Sequence, residues 1–317
     1  MDAAQGGETD PTAERRYTVV VALSNPSHVD QLMRTAVDFS RGTGGRIEVV
    51  SVIHKHASSP FLLFEEELIK AEYSSGQQEV LERAVQIAEQ ASIPVGEHLL
   101  VGQDISDAIL SLLPTVDADA LLLGWQRRSR PADIVLGTTV DPLVRRAPCD
   151  VFIERIGTTA DGMDEILLPT AGGPHDAAST TLAGSVASAT DARISVVSYV
   201  PPEATAETRS ACRAYVESAM AALSNVRVEG GVAEADDVAG AIVDDARHHD
   251  LVVLGATRER RLQNRLVGSV AATVAEQAPI PVIISKRYVE RSLLDRAKAW
   301  WQQDQSWTSD ASSDTTE

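Results

Sequence analysis

The chain has 317 residues, 44% of them hydrophobic, and its 46 acidic and 28 basic residues give a formal net charge of −18. This length favours two domains, since a domain commonly holds roughly 100–200 residues. The diffuse acidity excludes nucleic acid as a general partner, because nucleic-acid binding needs a basic surface.

The acidic composition also bears on where the protein works. Acidic surfaces keep proteins soluble by self-repulsion and are typical of halophiles, where salt screens that repulsion. The N-terminal segment MDAAQGGETDPTAERR has neither the basic region nor the apolar core of a secretory signal. No apolar run approaches the ~20 residues of a membrane helix. We expect a cytoplasmic protein from a halophilic cell with a high-salt cytoplasm.

The first half of the chain alternates apolar strands with helix-period segments. Residues 1–16 are polar, and we expect a disordered tail. Strands are predicted at 17–23, 46–53, 96–102, 118–125 and 150–154. Helices are predicted at 28–42, near 65–91 and at 104–116. A linker at 156–164 follows.

From Asp164 the pattern restarts. Strands are predicted from 165 and at 193–200, 226–232, 250–256 and 281–285, with helices at 176–190, 205–223 and 236–249. Gly124 matches Gly255, Gly137 matches Gly268 and Pro148 matches Pro279, all at an offset of 131 residues. Continuous apolar strands between helices indicate parallel sheets covered on both faces. We therefore predict two tandem, doubly wound, five-stranded α/β domains, at 17–157 and 164–287.

The C-terminal segment, 288–317, begins with a helical stripe that ends in Trp300 and Trp301. This helix either packs on its own domain or serves as an interaction helix, for which tryptophan is well suited. The final residues, SWTSDASSDTTE, are acidic and of low complexity, and we expect them to be disordered.

Two glycine-bounded loops carry the candidate site. Gly124 and Gly255 stand at the ends of predicted strands, where ligands bind in open parallel sheets. Thirteen residues later, Gly137-Thr138 and Gly268-Ser269 open a helix, whose N–H groups and dipole suit a phosphate. Thr138 and Ser269 are predicted N-caps, and Asp141 would complete a capping box with Thr138. Capping alone would explain both hydroxyl residues.

These loops, the strand ends SNPS and TAGGPH, and the closing segments APCDVFI and APIPVII resemble the universal stress protein (UspA) family in tandem. The second opening, ILLPTAGGPHD, is also similar to UspA-type cytoplasmic domains of amino-acid and cation transporters. The resemblance implies an adenine nucleotide alpha hydrolase-like fold and a regulatory role in the stress response. It implies at most weak ATP hydrolysis, so we do not expect an enzyme.

Nucleotide-binding family members wrap ATP phosphates with Gly-x2-Gly-x9-Gly-Ser/Thr and place an aspartate at the end of strand one. Here Arg127 and Arg258 replace the middle glycine, and Ser24 and Ala171 replace the aspartate. These loops hold the densest positive patches of the chain: Arg127, Arg128 and Arg130, then Arg258, Arg260, Arg261 and Arg265. Guanidinium groups bind phosphate through paired hydrogen bonds. Alternatively, these arginines pair with nearby acids or solvate exposed loops.

The resemblance places a ligand, ATP or another anion, between the strand-one loops and these glycine loops. The predicted binding residues are Ser24, Gly124, Arg127, Gly137 and Thr138 in repeat one, and Ala171, Gly172, His175, Gly255, Arg258, Gly268 and Ser269 in repeat two. The alternative function is a nucleotide-independent interaction protein that modulates a membrane transporter or another partner.

Family dimers join through the fifth strand. The resemblance therefore implies an intramolecular pseudo-dimer in which 151–153 pair antiparallel with 282–284. A homodimer of such chains is a further alternative. Pairing would also cover apolar edges that otherwise promote aggregation.

Histidines and cysteines offer weaker signals. His54 and His56 lack a third metal ligand in register, so no metal site is predicted. His248 and His249 lie at the predicted C-terminus of a helix, where a protonated imidazole interacts favourably with the helix dipole. Cys149 and Cys212 have no metal-type spacing, and we expect buried free thiols.

Overall fold

The computed structural model describes residues 15–55, 67–68, 74–126, 136–160, 162–256 and 267–289. Within these ranges, repeat one contains five strands and four α-helices: β1 (Thr18–Ala22), α1 (Pro26–Thr43), β2 (Arg46–His54), α2 (Ser75–Gln90), β3 (Val95–Gly102), α3 (Ile105–Leu112), β4 (Ala120–Trp125), α4 (Val140–Arg146) and β5 (Asp150–Arg155).

Repeat two has the same order of elements in the described residues: β6 (Glu165–Pro169), α5 (Asp176–Thr190), β7 (Arg193–Val200), α6 (Ala206–Ala222), β8 (Arg227–Glu234), α7 (Val238–Asp245), β9 (Leu251–Gly255), α8 (Ser269–Gln277) and β10 (Val282–Lys286). The helix predicted at 236–249 ends earlier, at Asp245, and a 3-10 turn follows at Ala246–His248. Of the helix predicted near 65–91, the structure describes α2 and residues 67–68.

Helix α1 illustrates how the sequence sets helix ends. The Asn25 side chain accepts a hydrogen bond from Ser27 N at 3.0 Å, and Pro26 occupies the first helical position. Both are favoured at a helix N-terminus. At the other end, Gly44 has φ of 64° and its N–H donates to Arg41 O. Only glycine adopts this left-handed conformation without a steric penalty.

All ten strands form one sheet in the order β3-β2-β1-β4-β5-β10-β9-β6-β7-β8. Neighbouring strands are parallel except β5 and β10, which pair antiparallel at the centre. Ile153 pairs with Ile284, its counterpart 131 residues later, so the approximate twofold axis between the repeats passes through this pair. The predicted antiparallel pairing of the two fifth strands is confirmed, but the predicted register is wrong: residues 151–153 pair with 284–286, and not with 282–284.

Two apolar layers cover the sheet, and both continue across the repeats. On one face α1, α2, α5 and α6 bury a layer that contains Phe39 and Phe152, whose rings meet edge to face with centroids 5.3 Å apart. On the other face α3, α4, α7 and α8 bury the second layer. The predicted fold class, two tandem doubly wound five-stranded α/β domains, is confirmed.

Both cysteines are buried free thiols, as expected. Burial, with Asp150 and Asp119 nearby, raises the pKa of Cys149 to about 12. Among the helices that the structure describes, none combines the length and hydropathy needed to cross a membrane.

Candidate functional site

The topology leaves a cavity in repeat two. The strand order reverses between β6 and β9, because β7 lies on one side of β6 and β9 on the other. A cavity of about 330 Å³ opens beside the carboxyl ends of these strands. Ligands of doubly wound folds bind at such reversal points, and ligand pockets commonly measure roughly 300–1,000 Å³. The cavity is therefore placed and sized for a small molecule.

The walls of this cavity are mostly apolar. They come from the end of β6, from β7, from α7 and from the β9–α8 region: Pro169, Tyr199, Val238, Ile242, Leu254 and Val270. Tyr199 Oη donates to Asp245 Oδ2 at 2.5 Å. Burial and this carboxylate raise the pKa of Tyr199, so the phenol stays protonated. The Tyr199 hydroxyl is thereby engaged within the protein.

Polar groups reach the cavity from the loop between β6 and α5, residues 170–175, and from Asp176, the first residue of α5. Asp176 Oδ2 accepts three hydrogen bonds there: from Thr170 Oγ1 at 2.5 Å, from Ala171 N at 3.2 Å and from Gly173 N at 3.1 Å. We call this arrangement the Asp176 latch. Gly172, between the two amides, has φ of 69°, which favours glycine. The latch closes the glycine loop around an internal carboxylate.

Sequence reasoning missed Asp176. Its signal was an aspartate at the first turn of a helix, directly after Gly-Gly-Pro-His. Such aspartates commonly accept from backbone N–H groups near helix starts. Here the carboxylate instead accepts from groups of the loop before the helix. The conformation of the loop decides this choice of partners.

His175 and Gly255 lie against each other at the cavity. His175 is buried, and its Nδ1 accepts from Arg287 N at 3.2 Å. A Cβ on Gly255 would lie 3.2 Å from both His175 Cβ and Asp176 Oδ1. The absence of a side chain at Gly255 thus allows the start of α5 to approach β9 closely.

Helix α8 begins at the cavity with Gly268 and Ser269. Gly268 is the N-cap residue, and Ser269 is the first helical residue. The prediction that Ser269 caps the helix is therefore wrong. The helix has no side-chain cap, because the extended conformation of Gly268 makes the glycine the boundary residue. The positive end of the helix dipole still lies beside the cavity.

The capping predicted in repeat one is also wrong. Helix α4 begins at Val140 with Thr139 as its N-cap residue, which makes no side-chain cap bond. Thr138 is exposed and precedes the cap, so Thr138 and Asp141 form no capping box. Asp141 instead accepts from the backbone N–H of Leu136, and burial raises the pKa of its carboxyl. Gly137 has φ of 114°, whereas its counterpart Gly268 has φ of −68°.

Apolar side chains cover the glycine at the end of β4. A Cβ on Gly124 would lie 3.1 Å from Leu32 Cδ1 and 3.1 Å from Ile156 Cδ1, and both side chains are buried. Ser24 is exposed in the loop before α1. At the equivalent end of β9, Gly255 faces polar groups of the loop before α5.

The structure thus brings together five predicted residues of repeat two at one cavity: Ala171, His175, Gly255, Gly268 and Ser269. Gly172 lies in the same loop but lines the neighbouring groove between α5 and α6. The arginines of both loops, including Arg127 and Arg258, lie outside the described residues. Both alternatives for their role remain predictions.

The described part of the chain holds no group of three or more His, Cys, Asp or Glu side chains that could bind a metal ion. His54 Nε2 lies 2.9 Å from Gln103 O, and His249 Nδ1 lies 2.7 Å from Asp245 O. His56 falls outside the described residues.

Comparison with known proteins relates this architecture to one family. The model of the universal stress protein family matches twice, at residues 16–155 and 163–286. Comparison with curated protein sequences gives no match.

Solved structures resemble the whole tandem. A universal stress protein from Archaeoglobus fulgidus DSM 4304 is 17% identical with a TM-score of 0.61, and the match covers 85% of this chain and 98% of that chain. The cytoplasmic domain of a prokaryotic cation chloride cotransporter is 11% identical with a TM-score of 0.55, over 87% and 97% of the two chains.

A further structure is similar over less of the chain. The universal stress protein from Archaeoglobus fulgidus in complex with dAMP is 24% identical with a TM-score of 0.33, and the match covers 43% of this chain and 96% of that chain. The family model thus matches each half of the chain, and the two halves have the same strand order within one sheet. The chain belongs to the universal stress protein family and carries two copies of its domain in one polypeptide.

Proposed function

We propose that this protein is a regulatory, ligand-sensing module whose second repeat binds a molecule with a nucleoside part, the candidates being adenosine and its nucleotides, ATP among them. The observation that supports this proposal is the cavity of about 330 Å³ beside β6 and β9. It combines apolar walls with a few polar groups, the usual composition of a small-molecule site.

The residues that line the cavity suit a base and a sugar. Val238, Ile242 and Leu254 offer apolar surface to a flat ring. Thr170, His175, Asp176 and Ser269 also line the cavity, and their polar groups are hydrogen-bond partners for the hydroxyl groups of a sugar. Ser269 places the start of α8 at the same cavity.

Filling the cavity tests the proposal. Val238→Trp places a bulky ring in the space between α7 and β9, and we expect it to weaken binding of adenosine, AMP and ATP at least tenfold. Ile105→Trp is the matched control, because Ile105 is the first residue of α3 as Val238 is the first of α7. Binding is measured by isothermal titration calorimetry in concentrated KCl. Equal binding by both variants would place the ligand elsewhere.

A second candidate function is a nucleotide-independent interaction protein that modulates a transporter or another partner. The apolar cover of Gly124 by Leu32 and Ile156 favours this alternative for repeat one. If the wild type binds no adenine compound at millimolar concentration, and a membrane transporter co-purifies with it, the interaction module is the better interpretation of the whole chain.

A further inference from the structure

The Asp176 latch bears on which ligands the cavity accepts, and this inference rests on the proposed function above. The latch uses two backbone N–H groups and one hydroxyl of the glycine loop. Such converging donors are what an incoming phosphate would need from a loop of this kind. In this chain a resident carboxylate already holds them.

The second oxygen of the same carboxylate lies at the cavity. Asp176 Oδ1 is 3.2 Å from the position that a Cβ on Gly255 would occupy, beside the carboxyl end of β9. Among the described residues, the donors that reach the Asp176 side chain bond to Oδ2, which leaves Oδ1 as the acceptor for a ligand. A negatively charged acceptor therefore lies beside Gly255 at the cavity.

The charge of Asp176 has opposite consequences for two classes of ligand. A phosphate near Gly255 meets a like charge in a partly buried site, where repulsion is stronger than in water. A ligand hydroxyl near Gly255 instead finds an ionised acceptor, and hydrogen bonds to ionised groups are about twice as strong as neutral ones.

We propose that Asp176 is a specificity-determining residue, which makes the repeat-two cavity select an uncharged nucleoside over its phosphorylated forms. A sugar hydroxyl donates to Oδ1, while Oδ2 keeps the loop closed. The resident carboxylate takes the place that a phosphate would otherwise fill.

The test compares adenosine, AMP and ATP on the full-length wild type and on Asp176→Asn, by calorimetry with and without Mg²⁺. The wild type should bind adenosine at least tenfold more tightly than AMP or ATP. Asp176→Asn removes the charge but keeps a side-chain oxygen for the loop amides, so the preference for adenosine over AMP should fall at least tenfold. Glu229→Gln removes one exposed charge from edge strand β8 and should leave the preference unchanged.

The outcomes separate this inference from the proposed function. If the wild type binds AMP or Mg²⁺-ATP as tightly as adenosine, the selectivity inference is overturned, while the cavity remains a nucleoside site. This measurement needs no variant, so misfolding of Asp176→Asn would not protect the inference. An unchanged preference in a folded Asp176→Asn would also overturn it. If no adenine compound binds, the proposed function and this inference both fail.

Discussion

Arg155 Nη1 donates to Ala275 O at 2.9 Å, and this hydrogen bond joins the end of β5 in repeat one to the last turn of α8 in repeat two. Lys286 Nζ donates to Val144 O in the reverse direction. Lys286 is the counterpart of Arg155 and Val144 is the counterpart of Ala275, because the residues of each pair lie 131 positions apart. The two repeats therefore exchange equivalent hydrogen bonds across the central strand pair.

The Arg155 contact should stabilise the tandem measurably. Its guanidinium also donates to Ile280 O at 2.7 Å and to Thr158 Oγ1 at 2.9 Å, and the side chain is buried. Arg155→Met leaves carbonyl groups of repeat two without this donor, so we expect the free energy of unfolding to fall by roughly 1.5–3 kcal/mol. Urea denaturation in concentrated KCl measures this loss.

The control for Arg155 is Arg83→Met. Arg83 forms a surface ion pair with Asp30 at 2.9 Å, and exposed pairs of this kind contribute little to stability because solvent screens them. A loss of the same size in both variants would mean that the inter-repeat bonds contribute no more than a surface contact.

A second prediction concerns the close approach of α1 and α5 across the repeats. A Cβ on Gly42 would lie 2.0 Å from Ser185 O and 2.6 Å from Ser185 Cα. Because these are backbone atoms, Gly42→Ala must push the two helices apart, and overpacking of this kind costs roughly 1–3 kcal/mol. Gly76→Ala in α2 is the control, since nothing lies within 4 Å of its Cβ position. This control should be neutral or stabilising by up to about 1 kcal/mol, and thermal unfolding of the two variants measures the contrast.

The sequence predicts the strands well because continuous apolar runs and a repeat offset of 131 residues are countable patterns, whereas the antiparallel pairing of the fifth strands was implied by the family resemblance. The N-caps were harder to predict. A hydroxyl residue after glycine is equally compatible with capping and with the first helical position, as Thr138 and Ser269 show.

The difference between the two candidate sites could not be read from the motif. Leu32, Gly124 and Ile156 are far apart in the sequence, and only tertiary packing places the two apolar side chains over the glycine. Likewise, the loop conformation decides that Asp176 bonds to Ala171 and Gly173. Such contacts depend on tertiary packing and loop conformation, and no repeating pattern in the sequence reports them.

A third prediction follows from the net charge of −18. Screening shortens the Debye length from roughly 10 Å at 0.1 M salt to about 3 Å at 1 M, so added KCl should relieve self-repulsion and raise the melting temperature near pH 7. The same titration near pH 4.8, the sequence pI, is the control. There the net charge vanishes, and the salt-dependent gain should be smaller. Equal gains at both pH values would assign the effect to something other than repulsion between carboxylates.

The last prediction concerns Glu154, a buried carboxyl beside the central strand pair. It is 2% exposed, and Glu154 Oε1 accepts from Gln31 Nε2 at 2.8 Å, while Oε2 has no hydrogen-bond partner among the described residues. Burial raises the pKa of this carboxyl from 4.5 to about 7, although Gln31, Thr35 and Arg34 each oppose the rise. The folded protein therefore holds a proton on Glu154 that the unfolded chain releases near pH 4.5.

The sign of the pH effect follows from this difference in proton binding. Below pH 4.5 both states are protonated, and the contribution of Glu154 to stability is complete. As pH rises to about 7, the unfolded state gains by ionising, and stability falls by about 3 kcal/mol in all before it levels off. Glu154→Gln cannot ionise, so its stability relative to wild type should rise over this range and stay constant above it. Chemical denaturation between pH 4 and 8 measures the stability of wild type and Glu154→Gln. Glu229→Gln is the control for the loss of an exposed carboxyl. Parallel curves for wild type and Glu154→Gln would show that the buried carboxyl does not titrate in this range.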